Sequence, residues 1–239
     1  MTYRALATDY DGTLAADGRV DETTTDALRR ARNAGITLIM VTGRELSDLF
    51  NTFAHPELFD LIVAENGAVV YDPDAKSIET LASAPPPALI ERLEQASVPL
   101  SVGHSIVATV ESHEHHVLEA IRDLGLEWHV IFNKGSVMAL PADVTKATGL
   151  MPALAALGLS AAETVGIGDA ENDHAFLRAC GLSVAVANAL TAVKDGCDVV
   201  LTTARGAGVT ELIDRMISGA VDAIEPDPSK HLAPAAVER

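Results

Sequence analysis

The chain has 239 residues, 48% of them hydrophobic, which is enough to bury a sizeable core and places it among globular rather than disordered sequences. Its formal net charge of −17 argues against nucleic acid and anionic membrane surfaces, both of which need basic patches. An anionic substrate stays open, because a bound metal ion reverses the sign of a site locally. Aromatic residues make up only 4%, so Ala, Val and Leu must fill most of the core. Two cysteines, Cys180 and Cys197, are too few for a disulfide framework and read as small buried side chains in a reducing compartment. The start carries no signal-like pattern and no apolar run is long enough to span a bilayer, so a soluble cytoplasmic protein is expected.

Residues 3–8 read as a strand that runs into Asp9-Tyr10-Asp11-Gly12-Thr13-Leu14. Two carboxylates one residue apart cost free energy unless a cation or a shared proton compensates. Strand alternation would send them to opposite faces. A turn at Gly12 can instead bring one side chain and a neighbouring backbone carbonyl to a common point, a cradle of hard oxygens suited to magnesium. The other carboxylate is then left to donate or accept a proton. An ordinary Asp-rich turn would look the same in these six residues alone.

This segment, Asp9-x-Asp11-Gly12-Thr13-Leu14, resembles the first motif of the haloacid dehalogenase-like (HAD) hydrolase superfamily, whose members are mostly phosphatases. The resemblance implies that Asp9 attacks phosphorus and that Asp11 is the general acid and base.

Residues 22–34 have the pattern of an amphipathic helix, with Ala27, Leu28 and Ala31 on the apolar side, Asp21 or Thr23 as cap and Gly35 as stop. Residues 36–41 are almost continuously apolar, as in a parallel strand buried on both faces. Strand, helix, strand is a right-handed crossover. The second strand ends in Thr42-Gly43-Arg44, on the edge where open α/β sheets bind ligands. A hydroxyl there, next to the free N–H groups of a helix start, suits a phosphate oxygen; helix capping is its ordinary use, and Thr42 can do both. It matches the superfamily's second motif. Arg44 either meets the anion or forms a structural ion pair.

A helix over 45–53 and a strand over 61–64 come next, followed by Glu65-Asn66-Gly67-Ala68. The Asn-Gly-Ala resembles the Cof-type, or IIB, branch of the superfamily, and Asn66 becomes a candidate wall of the site. A hairpin follows over 69–80. Ala84-Pro85-Pro86-Pro87 marks a hinge, after which residues 89–140 read as helix, strands, helix, strands, a small α+β sandwich. This is similar to a short IIB cap, as in phosphoglycolate-phosphatase-like and sugar-phosphatase-like members. His113, His115 and His116 read as a capped, solvated helix end rather than a zinc site. His104, Asn133 and Lys134 lie in turns of the cap, where a lid meets its substrate, although each taken singly reads first as a solvated turn residue.

Lys146 opens a helix over 147–157, the wrong sign for the helix dipole unless a strong anion lies close; a surface lysine is the plain alternative. By resemblance it is the third-motif lysine that neutralises phosphate and nucleophile. Pro152 puts the straightness of that helix in question. A strand over 163–167 leads to Gly168-Asp169-Ala170-Glu171-Asn172-Asp173, which resembles the fourth motif. The resemblance implies Asp169 and, directly or through water, Asp173 as metal ligands with Asp9 and the backbone carbonyl of Asp11, and brings in Gly12, Asn172 and, in the loop after the strand over 182–187, Asn188. A short strand over 198–202 and a helix over 208–218 close the pattern, and from Glu225 the chain turns rich in Pro and Ala.

The expected architecture is α/β: a Rossmann-like parallel core (residues 1–83 and 143–222), a small α+β cap inserted after the third core strand (84–142), and a disordered tail or linker (223–239). The expected function is magnesium-dependent hydrolysis of a small phosphorylated metabolite, a phosphoglycolate-like acid or a sugar phosphate, through an aspartyl-phosphate. Phosphate would be held by Thr42, Gly43 and Lys146. A phosphomutase, or a regulatory module that binds a phosphorylated ligand, are the competing readings. Oligomeric state is not legible.

Overall fold

A computed structural model describes residues 2–133 and 135–232. The core sheet starts with β1 (Ala5–Thr8), a strand buried on both faces, as are β2 (Thr37–Val41), β3 (Leu61–Ala64), β10 (Thr164–Gly168) and β11 (Leu182–Ala185), except for the first residue of β2. These runs are apolar throughout because helices cover both sides of a parallel sheet. The edge strand β12 (Val199–Val200) is shorter than the sequence pattern suggests, since Asp198 turns back to accept hydrogen bonds from Ser183 N (2.8 Å) and Oγ (2.7 Å).

Two strands of the hairpin, β4 (Val69–Asp72) and β5 (Ser77–Thr80), join the same sheet antiparallel. The order is β12-β11-β10-β1-β2-β3-β4-β5, and the chain leaves for the cap after this hairpin. In the register Thr8 pairs with both Ile167 and Met40. The residues that follow these three strands, Asp9, Asp169 and Thr42, are therefore delivered to one edge of the sheet.

Helices α1 (Glu22–Asn33) and α2 (Leu46–Thr52) flank the first half, and Asp21 caps α1 by accepting from Thr24 N at 2.7 Å. In the second half lie α5 (Lys146–Ala156), α6 (His174–Ala179), α7 (Thr191–Gly196) and α8 (Arg205–Ile217). Helix α5 is fixed at its start by a capping box of Thr145 and Thr148 and runs on through Pro152. Both cysteines are buried and free, and burial pushes both thiols up to about 12, so they are inert packing groups.

The cap is a separate antiparallel sheet, β6-β7-β9-β8, made of β6 (Ser101–Val102), β7 (Val107–Val110), β8 (Trp128–Asn133) and β9 (Ser136–Pro141). Helices α3 (Pro87–Gln95) and α4 (Glu114–Asp123) cover one face, with Leu89, Leu93, Val117, Val137 and Ala139 forming a core of their own. The other face turns to the main domain, and Ile106 and Leu140 belong to the main hydrophobic cluster.

The segment after Glu225 is tied to the core as far as it is described. Lys230 Nζ donates to Cys197 O at 2.6 Å, Leu232 N to Arg178 O at 2.9 Å, and the His231 ring lies between Asp198 Oδ2 (2.8 Å) and Cys180 O (2.9 Å). Up to Leu232, then, the expected linker is a strap over the β11–β12 edge. Among the described residues no helix is long and apolar enough to cross a membrane.

Candidate active site

Lys146, the first residue of α5, is buried, and its ammonium donates to Asp9 Oδ1 at 2.6 Å and Asp173 Oδ1 at 2.5 Å. A lysine at a helix N-terminus works against the dipole, and the two carboxylates supply the compensation the sequence called for. Burial alone would pull its pKa down; the charges of Asp173 and Asp9 outweigh that and hold it above the ordinary lysine value. Asp173 is locked from its other oxygen, which accepts from the backbone N of Asp169 and of Ala170, both at 2.9 Å. Gly168 has to be glycine here, since a Cβ would come within 2.7 Å of that oxygen.

Carboxylate oxygens of Asp9, Asp169 and Asp173 lie within 4.8 Å of one another, all buried. Asp9 Oδ2 is buried and has no hydrogen-bond partner among the described residues. Three carboxylates facing one ammonium leave the cluster short of positive charge. Burial first, then the charges of Asp173 and Asp169, push the Asp9 carboxyl up to about 7, against the pull of Lys146. Hard oxygens, an orphaned buried acceptor and excess negative charge together fit a divalent cation such as magnesium. Thr13, within the first motif, was no sequence candidate, yet its hydroxyl donates to Asp169 Oδ1 at 3.3 Å and orients it.

The Asp11 side chain stands apart from the acid cluster, as a proton-transfer role asks. Its carboxylate accepts two hydrogen bonds from Arg44, Nε at 2.7 Å and Nη2 at 2.8 Å, and stands outside the three-carboxylate cluster. Arg44 also donates to Asp48 at 2.6 Å and stands 5.3 Å over the Tyr10 ring. Of the two readings open for Arg44, the structure has the ion pair. The hydrogen bond to Asp11 raises its pKa above the ordinary arginine value, against the effect of burial.

Thr42 is fully buried and accepts from Arg44 N at 3.1 Å, a turn contact; the expected helix cap is not made, since α2 starts later, at Leu46, behind Glu45. Gly43 lines, with Asp9, Asp11 and Arg44, a cavity of about 380 Å³ whose roof is Ile106, Ala108, Ser136 and Met138 of the cap. Asn66 is buried with φ 55° and lines a neighbouring cavity with Lys146 and Asn172, not the one at Asp9 and Asp11: its Nδ2 donates to Met138 Sδ (3.3 Å) and its Oδ1 accepts from Asn172 Nδ2 (3.0 Å). Asn188 donates to the Gly12 carbonyl at 2.8 Å and accepts from Arg205 N at 2.9 Å, so it braces the first loop. His104 faces Glu65 rather than the cavity, with Nδ1 3.1 Å from Glu65 Oε1. Lys134 lies outside the described residues.

Comparison with known proteins follows the same lines. The family model for haloacid dehalogenase-like hydrolases matches residues 6–122 and 106–213. A phosphoglycolate phosphatase from Methanothermobacter thermautotrophicus is 31% identical over 224 residues, covering 90% of this chain and 99% of that protein. Among solved structures, a haloacid dehalogenase-like hydrolase from Bacteroides thetaiotaomicron superposes with a TM-score of 0.76 at 20% identity, over 90% of this chain and 99% of that one. A subclass IIB sugar phosphatase superposes with a TM-score of 0.70 at 19% identity, over 89% and 98%. The two structures share the core sheet and the inserted cap; the sequence match carries the relationship further, and the chain belongs to the haloacid dehalogenase-like hydrolase family.

Proposed function

We propose that the protein is a magnesium-dependent phosphatase of small phosphorylated metabolites, acting through an aspartyl-phosphate on Asp9. One observation carries the reading. Lys146 reaches Asp9 and Asp173 at once, and Asp169 shares their cluster, so a nucleophile, its neutralising cation and a set of metal ligands lie at one sheet edge.

Asp9 attacks phosphorus with a carboxylate oxygen, and the bond from phosphorus to the ester oxygen breaks. The departing alkoxide takes a proton from Asp11. Asp11 then removes a proton from water, which attacks the phosphoaspartate and releases inorganic phosphate. Asp9, Asp169 and Asp173 would hold magnesium, which supplies the positive charge that lets a carboxylate approach a phosphate dianion. Lys146 pulls Asp9 toward its ionised form and shares that task. Thr42, Gly43 and the N–H groups at the start of α2 receive phosphoryl oxygens. The cap roof excludes water and contacts the leaving group.

Phosphoglycolate, as in the sequence relatives, and a sugar phosphate, as in the structural neighbour, are both of a size for this cavity. The test is phosphate release from an aryl phosphate with magnesium. Asp9→Asn is expected to abolish it, and turnover equal to the wild type would overturn the assignment.

A further inference from the structure

Glu65 sits on the core directly after β3, in the left-handed region at φ 50°, with its carboxylate fully buried. Its donors come from the cap. Oε1 accepts from His104 N at 2.9 Å and lies 3.1 Å from His104 Nδ1; Oε2 accepts from Ser105 N at 2.9 Å. Gly103 completes the fit, because a Cβ there would meet the Glu65 carboxylate at 2.7 Å. Hydrogen bonds to an ionised acceptor are among the stronger ones, and a buried carboxylate deprived of them is costly. The same short segment reaches back into the site: Glu65 N donates to Arg44 O and Asn66 N to Thr42 O, both at 3.0 Å.

We propose that Glu65 is a positioning residue for the phosphoryl-transfer site, a latch that seats the cap's β6–β7 turn and with it the cavity wall of Ser101, Ile106 and Ala108. The proposal rests on the phosphatase reading above. The turn that Glu65 holds, residues 103–106, carries Ile106 and joins the strands that bring Ser101 and Ala108 to the cavity containing Asp9 and Asp11. Releasing the turn leaves the acid cluster intact but frees the wall that meets the leaving group. The loss should therefore fall on substrate binding more than on the chemical step.

Two substitutions reach the contact from opposite sides. Glu65→Gln replaces one of two acceptor oxygens by a donor facing an N–H; Gly103→Ala pushes a methyl against an intact Glu65. With 2-phosphoglycolate or a hexose phosphate, whichever the wild type turns over better, each should raise KM about tenfold and leave kcat within about threefold. The double variant should be no worse than the worse single, because both break one contact. Hydrogen exchange at the His104 and Ser105 amides should speed up about tenfold or more in both, with the α5 amides unchanged. Unchanged exchange at 104 and 105, KM effects that multiply, or a loss confined to kcat would each overturn the proposal. A wild type that hydrolyses no phosphate ester sinks the phosphatase reading and the catalytic half of this one, while the exchange measurement still decides whether Glu65 latches the cap.

Discussion

Arg44 grips both carboxylate oxygens of Asp11, Nε on Oδ2 at 2.7 Å and Nη2 on Oδ1 at 2.8 Å. Two parallel hydrogen bonds fix the plane of the carboxylate as well as its position, which one hydrogen bond cannot do. Arg44 is itself held by Asp48 and by the face of Tyr10. Asp11 has to deliver a proton to the leaving oxygen and later take one from water; the fork on both oxygens holds the ionised form that acts on water, and one of its bonds must open for the acid form that meets the leaving group. Arg44→Lys keeps the charge but not the fork. It is expected to lower kcat by about 10- to 100-fold, the cost of a modest misplacement of a reacting group. Steady-state kinetics on an aryl phosphate decides it: a lysine variant as fast as the wild type would mean that charge alone, without geometry, suffices at this position.

Lys146 invites the complementary experiment. Lys146→Met keeps most of the side-chain volume and removes the ammonium, so Asp9, Asp169 and Asp173 are left facing one another in a buried site. Removing one partner of a buried ion pair costs about 3–5 kcal/mol. A divalent cation that binds only the folded state should return part of this. Thermal melts should show a large drop in Tm without magnesium and partial recovery with it, a larger magnesium effect than in the wild type. Activity should not recover, since the cation that neutralised Asp9 is gone.

The sequence allowed the two halves of this site to be joined because each acid follows an apolar strand. Parallel strands buried on both faces read as continuous apolar runs, and what stands at their carboxyl ends is then visible: Asp9, Thr42 and Asp169. Lys146 was legible through its conflict with the helix dipole. Glu65 was not. An acid in an Asn-Gly turn looks solvated, and its burial depends on amides 39 and 40 residues further along the chain. His104 reads as a solvated turn residue or a substrate contact for the same reason, since nothing local reveals that its partner is Glu65. Arg44 could be read two ways because a cation beside a phosphate loop and a cation beside Asp11 are the same residue until the distances are known. The strap over 227–232 is held by single polar contacts, with no apolar period to betray it.

The Asp9 carboxyl, pushed up to about 7 by burial and by its acidic neighbours, makes stability and metal binding pH-dependent in opposite senses. Its ordinary value is 3.8, so between about pH 4 and 7 the metal-free folded state holds a proton that the unfolded chain has lost. Stability from this group is therefore present at low pH and is lost as pH rises through that window. Magnesium needs the deprotonated carboxylate, so its affinity rises through the same window. The increment in Tm on adding magnesium should be small near pH 5 and large near pH 8. An increment that is flat across this range would show that Asp9 is not among the ligands.

Gly67 has φ +108°, and a Cβ on it would fall 2.0 Å from the Thr145 carbonyl oxygen; one on Gly149 would fall 2.5 Å from the Gly67 Cα. At these two glycines the backbone of the Asn66 loop lies directly on the first turn of α5, which carries Lys146. The contact sets how far the cap-facing wall at Asn66 stands from the acid cluster. Gly67→Ala cannot be absorbed by a side-chain rotation, because the obstacle is backbone. It should destabilise the protein by about 2–4 kcal/mol and lower kcat with it, as Lys146 shifts against Asp9. Gly35→Ala is the control. Gly35 also has positive φ, +81°, but a Cβ there meets nothing within 4 Å. Only the left-handed backbone is penalised, by about 1–2 kcal/mol, and turnover should be that of the wild type once both proteins are assayed well below their melting points. If Gly67→Ala loses no more stability and no more activity than Gly35→Ala, the close approach of the two segments does not set the geometry of the site.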